Sequence, residues 1–299
     1  MNLLRAARSI ALVCLIGLVS VIATGLVPVR AATFEPHAPI LIDGNSAFTS
    51  ENGVTSGNGT ALDPYVIEGW EISQDGMIGC LFAVDCGLSV RNTDVYFVIR
   101  NMYVHAATYG IVLSDVRNGE IDNSTLVNNG LGGVAVLRSN YVTISSNNIT
   151  RNGYSFQRYR PSFGLAVYGS TNVVVSRDTV SSNLGRQMTA YGSDFLISQN
   201  RFSYTNLVIP QSRFSVSSGG VYFEGLNNAT ISHNQFLAEN GIGVSISMSY
   251  FTQVTISANV FTSSGIVFEP LPSAFTSADL TMTTDNLIDG RPILLQRLL

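Results

Sequence analysis

Ile144-Ser145-Ser146-Asn147-Asn148-Ile149 decides the fold, because it returns down the chain. The later copies are Val175-Ser176-Arg177-Asp178-Thr179-Val180, Ile197-Ser198-Gln199-Asn200-Arg201-Phe202 and Ile231-Ser232-His233-Asn234-Gln235-Phe236. Ile256-Ser257-Ala258-Asn259-Val260-Phe261 and Met282-Thr283-Thr284-Asp285-Asn286-Leu287 follow. Two looser copies precede them, at Ile99 to Val104 and Ile121 to Leu126. The pattern is aliphatic, Ser, any, Asn or Asp, any, apolar. Successive anchors lie 22, 23, 31, 22, 34, 25 and 26 residues apart. A period of that size marks a stacked repeat rather than a single globular core.

A second motif, Gly-apolar-any-apolar, precedes most copies. Gly87-Leu88-Ser89-Val90, Gly133-Val134-Ala135-Val136 and Gly164-Leu165-Ala166-Val167 are examples. Gly220-Val221-Tyr222-Phe223, Gly243-Val244-Ser245-Ile246 and Gly265-Ile266-Val267-Phe268 continue the series. Alternation over so few residues describes a strand with one buried face, and no helical period competes. One repeat of three short strands buries too little apolar surface to fold alone, so repeats must stack. The expected fold is all-β: a right-handed parallel β-helix of about nine coils, three short strands per coil, with an asparagine-rich turn.

The inner columns should run Val134, Leu165, Val221, Val244, Ile266; then Ile144, Val175, Ile197, Ile231, Ile256; then Ile149, Val180, Phe202, Phe236, Phe261, Leu287. Asn147, Asp178, Asn200, Asn234, Asn259 and Asp285 should form a ladder at one turn. These residue types tolerate left-handed backbone and bond to nearby peptide groups, and stacked amides bond along the axis.

The chain has 299 residues, 45% hydrophobic and 12% charged, and all 16 of its basic residues are arginine. The absence of lysine removes Schiff-base and Walker-type chemistry. Residues 1–31 read as a signal peptide, with Arg5 and Arg8 before an apolar run and a small-residue cleavage site at Ala31. An uncleaved N-terminal anchor is the alternative, and it is the only membrane contact expected. Both place the remainder outside the cytoplasm: secreted, periplasmic or on the cell surface. Without the signal's three arginines, 13 Arg face 20 Asp plus Glu, a formal charge of −7. That balance argues against nucleic acid as a partner. Cys80 and Cys86, six positions apart, should form a small disulfide loop in an oxidising compartment. Residues 32–86 then form a lead-in and first coil, 87–293 the repeats, and 294–299 a short tail. A thinly covered last coil suggests end-to-end self-association.

The glycine strands, the Val-Thr-Ile strands at Val142-Thr143-Ile144 and Val254-Thr255-Ile256, and the asparagine turn resemble the pectate-lyase-like superfamily of right-handed parallel β-helices. Gly57-Asn58-Gly59-Thr60 to Asp63-Pro64-Tyr65-Val66-Ile67, and Asp285 to Ile293, resemble its secreted, NosD-like branch. That resemblance implies the fold over about Ile40 to Ile293. Its implied activities range from polysaccharide lyase or glycoside hydrolase to non-catalytic scaffold, with copper-enzyme maturation as a further alternative. The family's Asn-Thr-Asp hydrolase motif is matched at Asn92-Thr93-Asp94, but its Asp-Asp, Gly-His-Gly and Arg-x-Lys motifs are missing.

Outward positions of the glycine strands and two insertions define where a site should lie. The strands offer Arg91, Ser114, Tyr168, Tyr191, Tyr222, Glu224, Ser247 and Glu269. The insertions, residues 150–163 and 203–219, offer Tyr154, Arg158, Arg160 and Arg213. Aromatic faces stack on sugar rings and arginine forks pair with carboxylates, so the expected role is a non-catalytic surface or periplasmic module engaging a polysaccharide, a surface glycan or a protein partner through this face, with a lyase or hydrolase in the same groove as the alternative. Glu224, Glu269 and Asp194 are the candidates for catalysis; the glutamates lie two coils apart, roughly 10 Å. Outward tyrosines are equally the ordinary furniture of a sheet surface. No metal or cofactor is expected, because His37, His105 and His233 are scattered and converge with no thiol cluster.

Overall fold

A computed structural model describes residues 34–73, 79–81, 84–154, 162–204, 220–238, 243–268 and 279–293. Among them an 11-stranded sheet of short strands faces a 16-stranded sheet of longer ones. Nearly all pairings are parallel and join one coil to the next. The antiparallel exceptions are Val54–Ser56 with Tyr65–Glu68, Gly79–Leu81 with Val84–Thr93, and Leu287–Ile288 with Arg291–Pro292. The chain is a parallel β-helix. Long strands such as Tyr109–Asp122 and Phe163–Ser176 bend through a corner and serve two faces of the coil.

Register stacks like on like. Ile67, Ile99, Ile121, Ile144, Val175, Ile197, Ile231, Ile256 and Met282 form one inner column. Its residues from Ile67 to Ile256 are fully buried or nearly so. Phe202, Phe236 and Phe261 stack with ring centroids 5.2 and 4.8 Å apart and planes within 14° and 7°. Burial of such side chains is the main favourable term. At the N-terminal end Phe48 lies 4.7 Å from Tyr65 and 5.6 Å from Phe97, and Trp70 Nε1–H donates to the Gly53 carbonyl. These contacts fasten the lead-in onto the core.

Four expected alignments are corrected. Val221 pairs with Ile246 and not with Val244, and a register shift between Val244 and Ile246 in the pairing with the next strand keeps Ile246 in line with Ile266. Met188 fills the column between Leu165 and Val221. The last copy is one residue longer than the others before its turn. Phe261 therefore pairs with Ile288, not Leu287, and Asn259 meets Asn286, not Asp285. Asp285 is exposed, and its Oδ1 accepts the Ala258 N–H and the Thr283 hydroxyl.

The ladder runs Asn147, Asp178, Asn200, Asn234, Asn259, Asn286, every member buried. In the asparagine rungs the N–H and Nδ2–H both donate to the Oδ1 of the next rung, as Asn200 does to Asn234 at 2.9 and 3.1 Å. The same Nδ2 also donates back to a strand carbonyl of the preceding coil, from Asn200 to Val175 and from Asn234 to Ile197. Ser124 ends the ladder toward the N-terminus, its Oγ accepting the Met102 N–H. The rungs are not the left-handed residues. Positive φ falls one place earlier, at Asn123, Ser146, Arg177, Gln199, His233 and Ala258. The kink costs about 1–2 kcal/mol in a non-glycine residue, and it frees the following side chain to turn inward.

A second ladder stands five residues on. Asn129, Asn152 and Asn183 each give N–H and Nδ2–H to the next side-chain oxygen, ending on Gln187 Oε1. Its left-handed partners are Asn128, Arg151 and Ser182. Cys86 is buried and disulfide-bonded. The side chain of Cys80 lies outside the described residues, though its strand pairs with the strand that carries Cys86.

The corrected register separates two neighbours. Asn286→Ala should cost about 1–3 kcal/mol, because it orphans the buried Asn259 backbone N–H. Asp285→Ala should cost clearly less; denaturant titration of both variants checks the order.

Candidate functional site

The outward side of the glycine strands changes character along the axis. In the earlier coils Cys86, Tyr109, Val112, Leu131, Ala135, Leu137, Phe163 and Ala166 form a second, separate apolar cluster, all buried. They occupy strand positions alternate to the inner columns, as Val112, Ala135 and Ala166 do beside Leu113, Val136 and Val167. Tyr109 and Phe163 stack at 5.8 Å across Gly132, where a Cβ would stand 2.4 Å from the Phe163 ring. This stretch of the outward side is buried.

The open stretch begins at Tyr168. Tyr168 pairs in register with Tyr191, which is 52% exposed. The coil of Tyr191 is one residue shorter at this corner than its neighbours, with register shifts on both sides. The shortening rests on Gly192, where a Cβ would sit 2.0 Å from the Ser170 carbonyl oxygen. Opposite Tyr191 the next coil places Glu224 and Gly225. Gly225 has φ +64, and a Cβ there would be 2.7 Å from the Tyr191 ring. The Cδ2–Cε2 edge of the ring thus rests against bare backbone.

Tyr222 occupies the neighbouring outward column, in register with Thr189 and Ser247. The Arg186 guanidinium sits 3.6 Å above its ring. The Tyr222 hydroxyl donates to Glu224 Oε2 at 3.4 Å and lies 3.4 Å from Ser249 Oγ. Burial pushes the Tyr168 hydroxyl above the usual tyrosine range, while a hydrogen bond with Thr189 and the Arg186 charge act against that. The result is a strip of three tyrosines, one arginine and one glutamate across adjacent coils. Arg186 was missed in the sequence, because it stands before the apolar alternation; only its register with Phe163 brings it to this face.

Other candidates are elsewhere. Asp194 stands at the corner and not on the strip. Asn228 donates to it at 2.6 Å and Ser193 at 2.9 Å, and these bonds hold its carboxyl below the usual range. Tyr154 is exposed. Glu269, Arg158, Arg160 and Arg213 lie outside the described residues. Asn92, Thr93 and Asp94 line a shallow cleft with Asn45, Asp115 and Arg138. Its groups are spent on one another. Asn45 Nδ2–H donates to Asp94 at 2.8 Å, Thr93 donates to Asn45 at 2.6 Å, and Arg138 holds Asp115 through two bonds of 2.6 and 2.8 Å. The Asn-Thr-Asp letters therefore staple the lead-in to the coils. His105 bonds Glu71 at 3.0 Å and His37 packs on Trp70. Among the described residues no three His, Cys, Asp or Glu converge as metal ligands. No helix among them is long and apolar enough to cross a membrane.

A parallel solenoid with a polar aromatic strip on one lateral face is the class these features define. The chain belongs to the right-handed beta helix family, whose family model, described as the right handed beta helix region, matches residues 86–261. No curated protein matches it. Among solved structures, the Dettilon tailspike protein is similar, at 13% identity and TM-score 0.52 over 86% of this chain and 60% of that one. DFA-IIIase from Arthrobacter chlorophenolicus A6 is 14% identical at TM-score 0.46, over 76% of this chain and 55% of that one. The chain thus spans less than two thirds of either structure, and identities this low speak for fold alone.

The support under Tyr191 is testable. Gly225→Ala should destabilise by more than about 1 kcal/mol, combining left-handed strain with a clash on the ring. Tyr191→Ala should recover part of that loss in the double variant, which a double-mutant cycle measures.

Proposed function

We propose that this is an exported, non-catalytic solenoid that binds a glycan along the strip of Tyr168, Tyr191 and Tyr222. The observation that carries the reading is the in-register Tyr168–Tyr191 pair, with Tyr191 open and braced on Gly225. Flat rings repeated at the strand spacing of about 4.8 Å suit an extended chain of sugar rings. Arg186, fixed over Tyr222, and Glu224 supply a donor and an acceptor at the edges of such a chain.

The non-catalytic part of the reading is supported by the carboxylates. Glycoside hydrolysis by the usual route needs two of them flanking one bond. Asp194 is tied at the corner by Asn228 and Ser193 and does not join Glu224 on the strip. Export rests on the N-terminal residues 1–31 and fits the disulfide-bonded state of Cys86.

Affinity electrophoresis of the full chain against a panel of neutral and acidic polysaccharides tests the proposal. Retardation by at least one polymer without release of reducing ends is the expected outcome. Tyr191→Ala should weaken that binding about threefold to tenfold, the worth of one stacked ring. Product release abolished by Glu224→Gln would replace the module with an enzyme, and no retardation by any polymer would end the glycan reading.

A further inference from the structure

The long ladder contains one rung of different chemistry. Asp178 stands where the neighbours have asparagine, 1% exposed. Its Oδ1 does what an asparagine oxygen does, accepting the Asn147 N–H at 2.7 Å and the Asn147 Nδ2–H at 3.0 Å. Its own N–H donates to Asn200 Oδ1 at 2.9 Å. Its Oδ2 is buried and has no hydrogen-bond partner.

The periodicity says what that oxygen faces. The Nδ2 of Asn147 donates to the Ile121 carbonyl, that of Asn200 to Val175, that of Asn234 to Ile197 and that of Asn259 to Ile231. Each target is the column residue of the coil before the rung's own. For Asp178 the corresponding residue is Ile144, in register between Ile121 and Val175. A carboxylate oxygen there would meet a carbonyl oxygen, acceptor against acceptor. A carboxylic acid would donate, as the amide does.

We propose that Asp178 is carried as the neutral acid, its Oδ2–H donating to the Ile144 carbonyl, so that one bound proton completes the ladder and is lost as the surroundings turn alkaline. The rung joins the coil that bears Tyr168 to the coil before it, so the proton tightens the solenoid beside the tyrosine strip.

The surroundings favour the acid. Burial raises the Asp178 carboxyl to about 7, against the lowering effect of the Asn147 bonds. Asp122, in an earlier coil, pushes in the same direction, and Arg177, directly before the rung, opposes it. The turn positions stacked on either side are Ser146 and Asn147 in one coil and Gln199 and Asn200 in the other, none charged. Arg201, the next charged side chain, is exposed and bonds Gln235.

The sign follows from linkage. The folded chain holds this proton more tightly than the unfolded one, so the contribution is complete below the unfolded value of 3.8 and is lost as pH rises through about 7. Asp178→Asn supplies the donor permanently. Its melting temperature should match the wild type below about pH 3.8, exceed it progressively as pH rises from there, and keep a constant lead above about pH 7. Other carboxylates titrate alike in both proteins and cancel in the difference. Infrared spectroscopy of the wild type at pH 6 should show a protonated carboxyl band that fades by pH 9 and is missing from the variant. Should the variant not fold, carbon-13 titration of Asp178 in the wild type gives the same answer. A melting difference that stays constant from pH 4 to pH 8, or an Asp178 carboxyl already ionised at pH 5, overturns the proposal.

Discussion

Everything in this solenoid hangs on buried amide side chains that hydrogen-bond along its axis. An inward asparagine in an apolar core would be costly unless all its polar atoms found partners. Stacking in register supplies those partners from the identical residue one coil away. Asn234 takes both donors of Asn200 and passes its own to Asn259, while its amide also reaches Ile197. The arrangement works only if successive turns superimpose. The ladder therefore punishes register slips that the apolar columns alone would tolerate, since Val, Ile and Met interchange there at modest cost.

The architecture was legible in the sequence because its two determinants are periodic and local. The aliphatic-Ser-x-Asn-x-apolar pattern names both an inner strand residue and a rung, so the columns from Ile144 to Ile256 and from Ile149 to Phe261 follow directly. Misalignments arose where chemistry and geometry diverge. Asp285 resembles a rung by letter, but the extra residue in its turn moves Asn286 inward. Val244 follows its glycine as Val134 does, yet the stack is set by what fills the core, and Ile246 does. The second ladder carries its own signal: Asn129, Asn152 and Asn183 each follow a first-ladder residue by five positions.

The lateral face was less legible. Alternation says which side chains point outward, but not whether outward means exposed. Val112, Ala135 and Ala166 point away from the solenoid and are nevertheless buried. Three tyrosines were visible as letters; the shortened corner at Gly192 that orders Tyr191, and the arginine over Tyr222, depend on pairings between segments distant in sequence. Sites on solenoids are made by such interruptions of a regular stack.

The paired grammar of each turn has an evolutionary consequence. The left-handed position holds Asn, Ser, Arg, Gln, His or Ala in successive coils, whereas the residue after it is almost always an amide or its acid. Two adjacent codons thus live under opposite selection. One drifts freely on the outside, and its neighbour is held by the coils above and below, so lineages sharing this fold should diverge at the first and coincide at the second.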